Sequence, residues 1–266
     1  SYMKLFKSPY RAISDEEAAE NAAPRHGFVG FFVTLWEYLS ELFRGNLLTV
    51  LCLLPACLLY ILGRVLFEGV LPVAFVSLLG SIPAGAGLCG LSAVAVESLR
   101  NRGYAFMRTY KKEFKANLKK GILPGCLYIL SVWLVGYMLS FAGEMAAVSN
   151  AKMMYVMLGV LAVLLQTLLG YMLPMMTLVE LPARHYLKNS LLFMAACPKS
   201  TVGLMLVSTV VCFGIPLLLL PYTGIYLLLI GLAVLELSRA AFAWPVLNSR
   251  LRIEEREAEK HRAENR

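Results

Sequence analysis

This sequence is short of charge. Only 16 % of its 266 residues are charged while 59 % are hydrophobic, and soluble domains carry about 25 % charged residues. A chain so short of charge cannot cover a water-facing surface, and it is read as an integral membrane protein. Clusters that do chemistry are missing as well. The three histidines, His26, His185 and His261, lie far apart in sequence, and the six cysteines (Cys52, Cys57, Cys89, Cys126, Cys197, Cys212) form no C-x-x-C pair. Spacing therefore offers neither a metal knuckle nor a nucleophile–base triad. No catalytic residue, metal ligand or cofactor is expected, and the protein is not expected to be an enzyme. The cysteines fall in or beside apolar runs and are read as buried thiols. The first residues mix acids and bases without the apolar core of a removable signal peptide, and Ser1 and Tyr2 precede Met3, the expected natural start.

What is there is apolar sequence in long runs. Stretches free of charged residues extend from Gly45 to Gly63, Gly69 to Val96, Gly121 to Gly143, Met153 to Val179 and Ser200 to Leu235. A helix needs roughly 20 apolar residues to cross a bilayer core of about 30 Å, so the last run is too long for one crossing. Pro216, Pro221 and Gly224 sit near its middle and split it into a hairpin. The expectation is an all-α membrane protein with six spans, at 46–62, 71–96, 121–142, 153–179, 200–219 and 222–247. Residues 1–27 form a cytoplasmic segment, 28–249 a single membrane domain and 250–266 a charged cytoplasmic tail.

Lysine and arginine favour the cytoplasmic side of a membrane. With both ends inside, the inner segments hold five, eight, three and seven of them, and only Arg64 and Lys152 of the 25 face outward. This bias accounts for the net charge of +8 without nucleic acid.

The stretch "IPAGAGLCGLSAVAVESLRNRGYAFMRTYKKEFKANLKKG" from Ile82, together with "LWEYLSELFRGNLLTVLCLLP" and "YLKNSLLFMAACPKS", resembles the YesL family of bacterial multi-pass membrane proteins. The likeness covers about Phe28 to Lys199. It implies a protein of the bacterial cytoplasmic membrane associated with carbohydrate uptake, with no established biochemical activity and no catalytic residues to carry over.

The chain also resembles itself. "FRGNLLTVLCLLPACLLY" from Phe43 aligns with "FKANLKKGILPGCLY" from Phe114, and Asn189 in "LKNSLLF" continues the spacing. This predicts an internal repeat of one inner amphipathic helix plus one transmembrane hairpin; chance likeness among apolar segments competes with it. Phe28, Phe31, Phe32, Leu35, Trp36, Leu39, Leu42 and Phe43 recur at helical spacing and predict an interfacial helix over 28–44. A second, basic helix is expected over 103–120. Its stripe of Phe106, Tyr110 and Phe114 beside Arg108, Lys111, Lys112, Lys115 and Lys119 would bind the anionic inner leaflet or dock a cytoplasmic partner. It resembles the coupling loop of ATP-binding-cassette importer permeases only loosely, because Ser98 and Leu99 stand where that signature has alanines.

Polar side chains inside spans are costly and become site candidates. Here they are Gln166 and Thr167 in the fourth span and Glu236 with Arg239, one turn apart, in the sixth. "GAGLCG" satisfies a dinucleotide pattern formally, but it lies inside an apolar segment, where Gly85, Gly87 and Gly90 suit close helix packing instead. The expected function is an accessory or permease-like subunit for solute, notably carbohydrate, uptake, with transporter subunits or an ATPase as partner. The alternative is a self-contained scaffold or sensor that binds anionic lipid or forms a homo-oligomer.

Overall fold

The computed structural model describes residues 27–100, 104–145, 151–219 and 221–254, and these contain helices and turns but no strand. Twelve helices follow in order. They are α1 (Gly27–Glu37), α2 (Leu39–Leu66), α3 (Val70–Leu78), α4 (Ser81–Leu99), α5 (Phe106–Ala116), α6 (Ile122–Met145), α7 (Ala151–Leu178), α8 (Ala183–Ala196), α9 (Pro198–Thr209), α10 (Ile215–Leu218), α11 (Thr223–Tyr226) and α12 (Leu232–Leu251). Two π-turns, Val210–Gly214 and Leu227–Gly231, join α9 to α10 and α11 to α12.

Four helices are long and apolar enough to cross a bilayer: α2, α4, α7 from Met153, and the continuous run Thr223–Leu251. A fifth arises if Ala183–Ala196 and Pro198–Cys212, which meet at 105°, make one bent span. The protein is thus a helical membrane protein with several spanning elements.

α4 is the axis of the bundle. Every residue of it is buried except Ile82, Pro83 and Glu97, and it packs on α2, α5, α6, α7 and α12. Small side chains make this crowding feasible. A Cβ on Gly85 would lie 1.7 Å from the Gly121 carbonyl oxygen, and one on Gly125 would lie 2.1 Å from that of Ser81. α4 and the start of α6 therefore touch backbone to backbone, as small residues permit in membranes. Gly87 makes room for Cys52, and Gly90 lies against the Tyr110 ring.

Several boundaries differ from the sequence expectation. The second run is two helices, because the chain turns at Leu79 and Gly80, where Gly80 abuts the Ala56 backbone. The amphipathic stretch 28–44 breaks at Tyr38, and Leu39 to Arg44 continue without interruption into α2. Its apolar stripe is divided: Phe31, Leu35 and Leu42 pack on the core, whereas Phe32 and Trp36 face outward. The two best copies of the repeat also take different local forms. Asn46 lies within the long α2, but Asn117 ends α5, with its Nδ2 donating to the Glu113 carbonyl at 3.0 Å. The cysteines are all free, and only Cys89 is buried; Cys57 is exposed and the other four are half-buried. An outward thiol meets lipid as readily as core, since both are apolar.

Candidate functional site

Three residues in α12 and α7 converge. Glu236 and Arg239 stand one turn apart and so share a face of α12, with Arg239 Nη1 donating to Glu236 Oε1 at 2.5 Å. The Arg239 stem crosses α7 at Gly170, where a Cβ would come within 3.5 Å of its Cγ. One turn before Gly170 on the same face stands Gln166, whose Oε1 accepts from Arg239 Nη2. The Gln166 amide in turn donates to Ser131 Oγ on α6, and that hydroxyl donates to the Tyr128 carbonyl at 2.7 Å. Gln166 is 4 % exposed, and Ser131, Glu236 and Arg239 are fully buried.

This chain of contacts joins α12 to α7 through the guanidinium and α7 to α6 through the Gln166 amide. A lone charge in a hydrocarbon interior is expensive, and pairing together with hydrogen bonding makes it tolerable. Glu236 Oε2 and Arg239 Nε have no hydrogen-bond partner. Thr167 is buried but satisfied within its own helix, donating to the Val163 carbonyl at 2.8 Å, and it takes no part in the network. An apolar groove of about 450 Å³ opens elsewhere, among Met138, Tyr155, Gly159, Val163 and Met205. Gln166 does not line it. The arrangement can hold three helices in register; an open polar route to Gln166 is not what these side chains form.

The second candidate surface is α5. Phe106 and Tyr110 are buried, so these two rings are spent on the chain itself, and Phe114 is half-buried against the same core. The Tyr110 hydroxyl lies 3.1 Å from Thr49 Oγ1 on α2, and its ring stacks on Phe114. Burial raises the pKa of that hydroxyl further above its ordinary range, against a smaller lowering by Thr49, so it stays protonated. Arg108, Lys111, Lys112, Lys115 and Lys119 are exposed. The exposed Lys112 lies 3.9 Å from the half-buried Glu113, at the limit of ion-pair distance, where solvent around the ammonium weakens the attraction. Burial holds the Glu113 carboxyl above the usual carboxylate range, partly offset by Lys112 and by the Asn117 amide.

Two contacts were not legible in the sequence. Asn46, fully buried on α2, donates from Nδ2 to the carbonyls of Leu227 (3.0 Å) and Leu228 (2.7 Å) and accepts from the Ala233 N–H (3.0 Å). Its signal was a lone amide at the head of an apolar run. Arg100, 5 % exposed, pairs with Glu97 at 3.2 Å and places its guanidinium 5.0 Å from the Trp244 ring centre; the attraction is to the ring's negative face.

Among the described residues no group of three or more His, Cys, Asp or Glu side chains could hold a metal ion. His185 is exposed on α8; His26 and His261 lie outside the described residues. The chain matches no protein-family model, no curated protein and no solved structure.

Proposed function

We propose that this is a non-enzymatic, six-span protein of a bacterial cytoplasmic membrane that works as an accessory or permease-like subunit in solute uptake, offering α5 to a cytoplasmic partner. The observation that carries the reading is the way α5 is held. Phe106 and Tyr110 clamp it to the core while Arg108, Lys111, Lys112 and Lys115 project outward; the helix is shorter than the sequence predicts and ends at Ala116, so Lys119 is exposed in the turn that follows. A rigid helix loses little entropy on docking, and a cationic rim steers an acidic partner. Carbohydrate as the solute class rests on the resemblance to the YesL family.

Six spans with both ends inside draw support from which residues sit together. Tyr38 stacks on Tyr104 with ring centres 5.9 Å apart, and Arg100 meets Trp244. Phe106, Tyr186, Trp244 and Ile253 share one core. The contacts Tyr38–Tyr104 and Arg100–Trp244 are what such an arrangement requires of its inner ends. In this arrangement α3–α4, α6 and the pair α9–α10 each count as a crossing.

The test is recovery of the partner. Full-length protein purified from native membranes should bring a transporter subunit or ATPase with it, and changing Lys111, Lys112, Lys115 and Lys119 together to glutamine should abolish that recovery. Recovery of no such subunit, with sugar uptake undiminished after deletion, would sink the reading. The sealed environment of Gln166 favours a second reading, a self-contained scaffold or sensor working through lipid or self-assembly. In that case the quadruple variant would lose binding to anionic liposomes alone.

A further inference from the structure

The outward face of α8 carries a feature that neither the basic helix nor the buried network accounts for. At 100° per residue, Arg184, His185, Lys188, Leu191 and Leu192 fall within an arc of about 120°. Arg184, His185 and Lys188 are all exposed, and Leu191 and Leu192 are 52 % and 61 % exposed. The opposite face is fixed to the protein. Tyr186 is buried, donates from its hydroxyl to the Val179 carbonyl and accepts from the Leu181 N–H, each at 2.8 Å, while Phe193 stacks on Tyr171. The exposed face is therefore held in place, with its bases toward the helix start and its leucines toward the end.

That order has a direction in space. α8 meets the apolar helix Pro198–Cys212 at 105° across Cys197, so where that helix crosses the bilayer, α8 runs close to the membrane plane. The leucines lie nearest the bend, and the bases lie one to two turns further out, roughly 5–10 Å along the axis. On a helix lying in the interface, long basic side chains rise to the headgroups while leucines of the same face reach into the acyl boundary.

We propose that the outward face of α8 is a binding site for anionic phospholipid, with Arg184, His185 and Lys188 at the phosphate and Leu191 and Leu192 inserted among the acyl chains. Charge complementarity selects this occupant. A second copy of the same face would oppose base to base across a two-fold axis, and an acidic protein would leave the two leucines without an apolar partner. The site is independent of docking at α5.

The full chain is placed in nanodiscs of phosphatidylcholine, with or without phosphatidylglycerol. Phosphatidylglycerol is expected to raise the melting temperature, and Arg184→Gln with Lys188→Gln is expected to lose most of that rise, whereas Arg44→Gln with Arg250→Gln, both exposed elsewhere, keeps it. In a background with serine in place of cysteine, an environment-sensitive dye on Leu192→Cys is expected to be quenched by brominated acyl chains and shielded from aqueous iodide. Retention of the full rise by the α8 variant would overturn the proposal, as would ready quenching of the dye by iodide. So would equal loss of the rise in the Arg44 and Arg250 variant, or loss of a captured acidic protein from the α8 variant with the lipid effect intact. Failure of partner recovery at α5 leaves all four outcomes unchanged.

Discussion

The Nδ2 of Asn46 donates to the carbonyl of Leu228, 2.7 Å away, across 182 positions of sequence. Leu228 belongs to a π-turn, where the regular backbone ladder is interrupted and a polar group has no water to turn to. One amide side chain on α2 thus meets the irregular backbone of the last span.

Removing that amide should be felt locally and globally. Asn46→Ala leaves the Leu227 and Leu228 carbonyls and the Ala233 N–H without their side-chain partner in a span where no water replaces it, an expected loss of roughly 2–4 kcal/mol, since each unsatisfied group there costs about 1–3 kcal/mol. Hydrogen exchange at Leu227 to Ala233 should accelerate, with the amides of α4 as the reference. An unchanged melting temperature and exchange rate would mean that the π-turn holds itself.

The Arg239 network predicts a non-additive pattern. Gln166→Leu or Glu236→Leu alone strips a partner from a buried guanidinium and should cost about 3–5 kcal/mol. The double change Glu236→Leu with Arg239→Met removes both charges and should cost less than Glu236→Leu alone. Thermal denaturation in detergent across the mutant cycle measures this, and strict additivity would rule out the coupling.

Glycine substitutions should sort by what a new methyl group meets. Gly85→Ala drives a Cβ to 1.7 Å from a backbone oxygen of Gly121, whereas Gly136 has nothing within 4 Å. The first variant should fail to yield folded protein and the second should behave as wild type, as judged by size-exclusion profile and melting temperature. Gly90→Ala meets a side chain, the Tyr110 ring at 2.9 Å, so it should displace α5 and expose the Tyr110 neighbourhood to proteolysis.

Glu113 supplies a pH dependence. Its folded pKa is raised, chiefly by burial. Its contribution to stability is therefore complete below the unfolded value of about 4.3 and is lost as pH rises through the folded value. Glu113→Gln imitates the protonated form, so its advantage in melting temperature over wild type should be largest at neutral pH and should shrink as pH falls toward that lower value. A difference that stays constant with pH would show that Glu113 does not titrate differently in the folded state.

Apolar runs and the positions of lysine and arginine determined, without any coordinates, that this chain is helical and membrane-embedded. Both are local quantities: a run either suffices to cover the hydrocarbon or it does not, and charge is counted segment by segment. Gln166, Glu236 and Arg239 were also visible, because polarity in an apolar run stands out whatever surrounds it. That Gln166 and Arg239, 73 positions apart, would share a hydrogen bond was not visible. Nor was the inward turn of Phe106 and Tyr110, or the outward turn of Cys57. In water, hydrophobicity tells core from surface; in lipid both sides of a helix are apolar, and only packing decides which side meets protein. Tertiary structure alone therefore assigned Asn46 to the last span and set α4 at the centre, because those choices depend on shape fitted between distant segments, which no single segment carries.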